Sequence, residues 1–280
     1  VSVLQPMQGG CGGRPSKDGI DGVNFSAGSL RNVPTEAIEL EAPVFIERYM
    51  LADRAAPGEY RGGAGVVFEF RCLAADAIVT ARGMDRFRLR PYGRKGGGAG
   101  TLGNTVINPG SETERQIGKI DILKLQPDDT VRIVAPGGGG YGDPLRRDPT
   151  KVLADVENGF VTAEEADSVY GVVMRAGAVD EKATAALRAS RSGRQIVEFV
   201  FGDERLAYEA VFSPQLQDRV AALLSERPAA VRQYARGRIY EAIERDPALR
   251  QMPPAKFDAE IRAMLDRLLA TTRAEAHAWM

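Results

Sequence analysis

The sequence predicts an α+β protein: a β-rich body, sandwich- or barrel-like with glycine-rich loops, followed by a helical C-terminal region. Three observations carry this. Short runs of Val, Ile and Phe recur between Gly, Pro, Asp and Asn turn signals through the first half of the chain. The run Val131-Arg-Ile-Val-Ala-Pro-Gly-Gly-Gly-Gly-Tyr-Gly-Asp-Pro then ends the strand-like region on four consecutive glycines. Beyond it apolar residues fall at spacings of three and four, as in Phe257, Ile261, Met264, Leu265, Leu268 and Leu269. The expected organisation is an irregular glycine-rich segment over residues 1–35, a β-rich body over 36–145 and a helical region over 146–280.

In order along the chain, Gln8-Gly-Gly-Cys-Gly-Gly-Arg-Pro and Lys17-Asp-Gly-Ile-Asp-Gly-Val precede Asn24, Ser26, Gly28 and Ser29. Glycine alternating with short polar residues favours turns. Two readings stay open: ordinary Asp-Gly turns, or a loop in which Gly9, Gly10, Gly12 and Gly13 present N–H donors to a substrate oxygen while Asp18 or Asp21 acts as base or polar contact. From Ala37 to Leu51 apolar and charged residues alternate, which predicts a strand with Pro43 at an edge or bulge. Strands are expected at 66–72 and 77–82. Arg86, Arg88 and Arg90 alternate with Phe87 and Leu89, predicting another strand with three cations on one face, either an anion site or a charged edge that blocks pairing. Asp148-Pro149 predicts a capped helix ending near Gly159, Thr162-Ala-Glu-Glu a capping box, residues 180–191 a short helix, and 195–201 a last strand. The apolar stripe in the final helix packs either on its own domain or on another polypeptide of a complex.

Charge excludes some functions. With 37 basic and 38 acidic side chains the net charge is -1, so nothing in the whole-chain balance attracts nucleic acid or an anionic membrane. Arg61-Gly62-Gly63 is a single element flanked by strands rather than a repeated RNA-binding tract. No apolar run approaches the roughly 20 residues that span a bilayer, and the first residues lack a basic-then-apolar leader, which predicts a cytoplasmic protein with no membrane partner. Cys11 and Cys72 are expected as reduced thiols.

Nucleotide motifs fail on context. Gly98, Gly100 and Gly103 lead into a strand and turn, not a helix. Gly137, Gly139 and Gly142 follow a strand, but Asp143-Pro144 and Asp148-Pro149 interrupt any helix starting there. Gly118-Lys119 is followed by Ile120, with Thr at 113, so there is no P-loop.

Together these residues resemble the hydantoinase B/oxoprolinase family. The carrying motifs run in order: Gly9-Gly-Cys-Gly-Gly with Asp18-Gly-Ile-Asp-Gly, Asn32-Val-Pro-Thr-Glu-Ala-Ile-Glu, Gly58-Glu-Tyr-Arg-Gly-Gly-Ala-Gly, Arg90-Pro-Tyr-Gly-Arg-Lys-Gly-Gly, Pro136-Gly-Gly-Gly-Gly-Tyr-Gly-Asp-Pro with Arg147-Asp-Pro, Asp155-Val-Glu-Asn-Gly and Tyr170-Gly-Val-Val. The resemblance covers about residues 5–190 and leaves the tail beyond unassigned. It implies the C-terminal half of a B-type subunit in a hetero-oligomer with an A-type subunit that holds ATP and Mg²⁺, hydrolysing a cyclic amide such as a hydantoin, oxoproline or lactam. A ketone carboxylase of the acetone or acetophenone type and a non-catalytic scaffold half are the alternatives. The family's divalent metal is expected in the N-terminal half, before Val1, which makes this chain either a fragment or a separately encoded half. Its single histidine, His277, supplies no imidazole-rich metal site. Asp18, Asp21, Glu36 and Glu39 are the conceivable all-carboxylate set for Mg²⁺ or Mn²⁺.

Overall fold

The computed structural model describes residues 7–23, 32–81, 83–193 and 195–278, with residues 271–278 described by backbone only. Asn24, Ser26, Gly28 and Ser29 lie outside them. The chain forms two compact units, Val1–Glu204 and Arg205–Met280.

The first unit opens with a departure from the alternation rule. Thr35–Glu41 is a helix (α1) and not the start of a strand; Ile38 is its buried residue and Leu40 is left exposed. A run of seven residues is too short to separate a period of 2 from one of 3.6. After Pro43 the strands follow: β1 Val44–Leu51, β2 Val66–Cys72, β3 Ala77–Thr80, β4 Gly93–Arg94, β5 Asn104–Ile107, β6 Arg115–Gln116, β7 Ile122–Leu125 and β8 Thr130–Val134. Five of them make an antiparallel sheet in the order β1-β2-β8-β5-β6, while β3 and β7 form a separate ribbon. Period-2 patterning sends Phe68, Phe70 and Cys72 of β2 and Val131 of β8 to one face, where they meet Leu125 and, edge-on at 5.5 Å between rings, Tyr49.

The expected strand through Arg86, Arg88 and Arg90 does not form: residues 83–91 are irregular. Arg86 sits at φ 59, outside the β region, and its carbonyl accepts from the Gly103 N–H at 2.9 Å. Phe87 then packs over Gly103.

Beyond the end of β8 the chain enters a bundle of glycine-rich segments that lie backbone against backbone. Residues 9–13, 19–22, 56–65, 93–100 and 135–142 exchange main-chain hydrogen bonds: Gly10 N–H to the Pro136 carbonyl at 2.9 Å, Gly63 N–H to Cys11 at 2.7 Å, Gly138 N–H to Gly63 at 2.9 Å and Gly140 N–H to Gly98 at 2.9 Å. Side chains are excluded by distance. A Cβ on Gly138 would sit 2.1 Å from the Cys11 carbonyl oxygen. The four glycines are therefore packing residues, not a loose connector.

Helices follow where capping chemistry placed them. α2 Pro149–Glu157 is capped by Asp148, α3 Ala163–Ser168 by the Thr162/Glu165 box and α4 Glu181–Ser190 by Asp180. They enclose Val152, Val161, Ala166, Tyr170 and Val172, beside a small hairpin of β9 Met174–Arg175 and β10 Ala178–Val179. The strand expected at 195–201 shrinks to β11 Phe199–Val200, paired with β4.

α5 Asp203–Val211 leads into the second unit, with α6 Pro214–Ser225, α7 Ala229–Arg245, α8 Pro247–Gln251 and α9 Pro254–Ala278. The stripe on α9 serves its own unit: Phe257, Ile261 and Leu265 are buried with Phe212, Val220, Leu223, Ile239 and Ile243. Among the described residues no helix is long and apolar enough to cross a membrane.

Candidate functional site

Two Asp-Gly turns, the segment after Tyr60 and the start of the helical region converge on one cluster of charge. Asp18 and Asp21 come from the turns and Arg61 follows Tyr60, whose backbone is bridged to Tyr141. Arg147 follows a single 3₁₀ turn over Pro144–Arg146 that Asp143 caps through the Leu145 N–H. Asp155 lies one turn beyond Val152 on the buried side of α2.

The geometry is bidentate twice over. Arg61 reaches Asp21 through Nη1 at 2.7 Å and Nη2 at 2.9 Å, and Arg147 reaches Asp18 through Nη1 at 2.7 Å and Nη2 at 3.0 Å. Asp155 bridges them, accepting from Arg61 Nε at 3.1 Å and Arg147 Nε at 2.9 Å. Main-chain donors complete the carboxylates: the Arg61 N–H to Asp18 at 2.8 Å and the Ala64 N–H to Asp21 at 2.7 Å. The Arg61 guanidinium also stacks on Phe160, 4.3 Å from the ring centre. Arg147 is 1% exposed, and its own carbonyl takes a hydrogen bond from Arg188 at 2.7 Å.

These contacts set the proton affinities. Burial pushes the Asp18 carboxyl up, but the Arg147 pair and the Arg61 N–H outweigh it and hold it below its usual 3.8. Asp21 behaves alike: burial raises it, and the Arg61 pair with the Ala64 N–H brings the net direction down. Asp155, deepest of the three, goes the other way, with burial raising it against the pull of Arg147 and Arg61. Beside the cluster Tyr170 is buried, its hydroxyl without a partner among the described residues, and burial raises its proton affinity.

Such carboxylates make poor proton acceptors, because accepting a proton would break a two-point guanidinium pair. A base working near neutrality needs the opposite shift. What Asp18 and Asp21 do in this geometry is tie the first glycine segment to Arg61 and to the entry of α2.

The four glycines singled out from sequence divide. Gly10 and Gly13 N–H groups are engaged by the carbonyls of Pro136 and Gly139, at 2.9 and 2.8 Å, so they are not free donors. A Cβ on Gly10 would fall 1.7 Å from the Gly63 oxygen, which accounts for glycine there by packing. The Gly9 carbonyl accepts from the Val23 N–H at 3.0 Å. Gly12 is exposed.

Asp18, Asp21, Glu36 and Glu39 do not assemble into a metal site: no group of three or more His, Cys, Asp or Glu side chains able to hold an ion exists among the described residues. Glu39 instead accepts the Ile46 N–H at 2.8 Å. Arg61, Arg147 and Asp155, which sequence reasoning did not single out as site residues, each lie within a motif already quoted. Their pairing spans 94 and 129 positions, and only a buried-charge argument across motifs would have suggested it.

An antiparallel sheet feeding a glycine bundle, clasped by buried Arg-Asp pairs, defines the class of structure. A family model described as hydantoinase B/oxoprolinase matches residues 1–144. The chain is 39% identical over 171 residues to the B-type subunit of a putative D-/L-hydantoinase from a Pseudomonas species, covering 60% of this chain and 28% of that protein. It is 37% identical over 201 residues to the caprolactamase beta subunit of Pseudomonas jessenii, covering 67% and 34%. The crystal structure of the ATP-dependent caprolactamase from that organism superposes with a TM-score of 0.53 at 33% identity, over 65% of this chain and 33% of that one. The acetophenone carboxylase delta subunit of Aromatoleum aromaticum is 29% identical over 216 residues, covering 65% and 31%. The chain belongs to the hydantoinase B/oxoprolinase family. It spans about a third of the length of these relatives.

Proposed function

We propose that this chain is the C-terminal half of a hydantoinase B-type subunit, working with an ATP-using A-type subunit to hydrolyse a cyclic amide such as a hydantoin, oxoproline or lactam. The observation that carries this reading is the family match over residues 1–144, in which the motifs beginning at Gly9, Asp18, Gly58, Arg90 and Pro136 meet in one glycine bundle. The names of the hydantoinase and caprolactamase relatives support the substrate class. Amide resonance makes such rings slow to open. The A-type partner would hold ATP and Mg²⁺ and activate the amide oxygen by phosphorylation, with a divalent metal held in the N-terminal half of the B-type polypeptide.

For this chain the roles follow the geometry. Asp18 and Asp21 are positioning residues, holding the Gly9–Gly13 segment at the edge of the site through Arg147 and Arg61. Gly12 is the glycine of that segment whose backbone is open to substrate. The compartment is cytoplasmic. The test is a reconstituted complex assayed for ATP hydrolysis dependent on hydantoin, oxoproline or caprolactam. Asp18→Ala in that complex should lose turnover together with thermal stability; wild-type turnover would remove Asp18 from the mechanism. Turnover by the isolated chain would contradict a role as part of a complex.

A second reading has its own support in the acetophenone carboxylase relative: a component of an ATP-dependent ketone carboxylase. Ketone plus bicarbonate as the only substrates that stimulate ATP hydrolysis would establish it. The saturated charge cluster favours a third, in which the chain is a scaffold whose removal disperses the complex without altering bound substrate.

A further inference from the structure

The sequence holds one Asn-Gly pair, Asn158-Gly159, and it falls where α2 ends. Both residues are exposed, and Gly159 has no side chain to shield its nitrogen. In such a pair the Gly nitrogen, deprotonated by base, attacks the Asn side-chain carbonyl carbon, Cγ. A bond forms from Cγ to the Gly159 nitrogen, the bond from Cγ to Nδ2 breaks, and ammonia leaves with the proton that Gly159 gave up. Water then opens the cyclic imide at one carbonyl or the other, giving aspartate or isoaspartate at position 158.

The folded chain holds both reacting groups back. Ring closure needs the Gly159 nitrogen eclipsed with the Asn158 Cβ, whereas a ψ of 1° at Asn158 eclipses it with the Asn158 backbone nitrogen. The Gly159 N–H donates to the Val156 carbonyl at 3.1 Å and Asn158 Nδ2 to the Ala154 carbonyl at 2.7 Å, so both are tied to the last turn of α2. Helix ends fray, and opening of this turn releases both contacts together. The two Asp-Gly pairs differ. Asp18 and Asp21 are bound by arginine, the Gly19 and Gly22 N–H groups donate to the Arg61 and Ala64 carbonyls at 2.8 Å, and an ionised carboxylate resists attack by a nucleophile.

The position matters because Phe160, just beyond the pair, reaches the charge cluster. Phe160 lies under the Arg61 guanidinium at 4.3 Å, its N–H donates to the Asp155 carbonyl at 2.9 Å, and its own carbonyl accepts from the Ala55 N–H at 3.2 Å. Isoaspartate routes the main chain through the former side chain, adding a methylene shortly ahead of Phe160. It also removes the donor to Ala154 and places a negative charge at the C-terminal end of α2, the end that repels anions. We infer that Asn158 is a deamidation site gated by opening of the last turn of α2, and that its conversion to isoaspartate loosens Phe160 from Arg61 and from the Asp155 main chain.

The test ages the complete chain in mildly alkaline buffer, with and without denaturing urea, and follows each Asn by peptide mass spectrometry. Asn158 should convert faster than every other Asn in the folded chain, and unfolding should raise its rate about tenfold or more. Equal rates in the two conditions would mean that the turn gates nothing, and no conversion at Asn158 even in urea would remove the site. Hydrogen exchange on the aged, folded chain should show protection of the Phe160 and Val161 amides, which donate to the Asp155 carbonyl, reduced about tenfold or more in the converted fraction. An Asn158→Gln chain aged alongside should keep the protection it had when fresh, because its longer side chain closes an imide ring far more slowly. Isoaspartate at position 158 with undiminished protection at those two amides would overturn the coupling to the cluster.

Discussion

Arg147 is the residue whose loss the structure makes most consequential. Its guanidinium is 1% exposed and meets both Asp18 and Asp155. Arg147→Met would strip Asp18 of its two-point partner and leave Asp155 to Arg61 alone in a largely buried site, a defect that costs about 3–5 kcal/mol. Urea unfolding followed by circular dichroism should show that loss, and a cost within about 0.5 kcal/mol would mean the cluster is solvated and dispensable. The pH dependence has two opposing parts. Asp18 and Asp21 are held below 3.8 in the folded state, so their stabilisation is complete above that value and is lost as pH falls through their folded values. Asp155 is raised, so its protonation favours the folded state as pH falls and opposes the other two. Asp18 and Asp21 therefore contribute a loss of stability on acidification below about pH 4, and Asp18→Asn with Asp21→Asn should remove that contribution and flatten the acid fall. An unchanged acid profile in the double variant would contradict the pairing.

At the level of elements, the bundle and the caps are different kinds of structure and should respond differently to substitution. Gly138→Ala places a methyl group 2.1 Å from a main-chain oxygen, and the obstacle is backbone, which no rotamer change relieves. Overpacking of this kind costs about 1–3 kcal/mol or more, and faster amide exchange at Gly10, Gly63 and Gly138 should accompany it. Asp148→Ala removes only a helix cap at the surface, losing the bond to the Thr150 N–H at 2.9 Å, and should cost about 1 kcal/mol in the same measurement. Equal costs would mean that the bundle relaxes easily. Caps were legible in the sequence because an Asp or Thr acts on a residue two or three positions away. α1 was not, since the helix is decided by packing of Ile38 and by the turn at Pro43, neither of which alternation records. The arginine run at 86–90 failed for a related reason: a positive φ at Arg86 is fixed by the Gly103 contact, far along the chain.

For the molecule as a whole, the second unit is a helical assembly with its own core. Ile261 is fully buried there among Phe212, Ile239 and Ile243, and Ile261→Ala should cost that unit about 2–5 kcal/mol, read as lost exchange protection in α7 and α9. Protection unchanged from the wild type would mean that the site collapses around the smaller residue. The chain spans about a third of the length of its relatives, and Asp18, Asp21 and Asp155 are already paired with Arg147 and Arg61.

Sequence by itself determined the α+β class with a β-rich region before a helical one, most of the caps, the apolar stripe of α9 and the family to which the chain belongs. Each of these rests on residue type and short spacing. Only the tertiary structure decided that the glycines pack against one another, that Asp18 and Asp21 are held by Arg147 and Arg61, and that Asp155 joins them. Those outcomes depend on segments up to 129 positions apart meeting in a site where burial raises the cost of any unpaired charge, and no local pattern encodes that meeting.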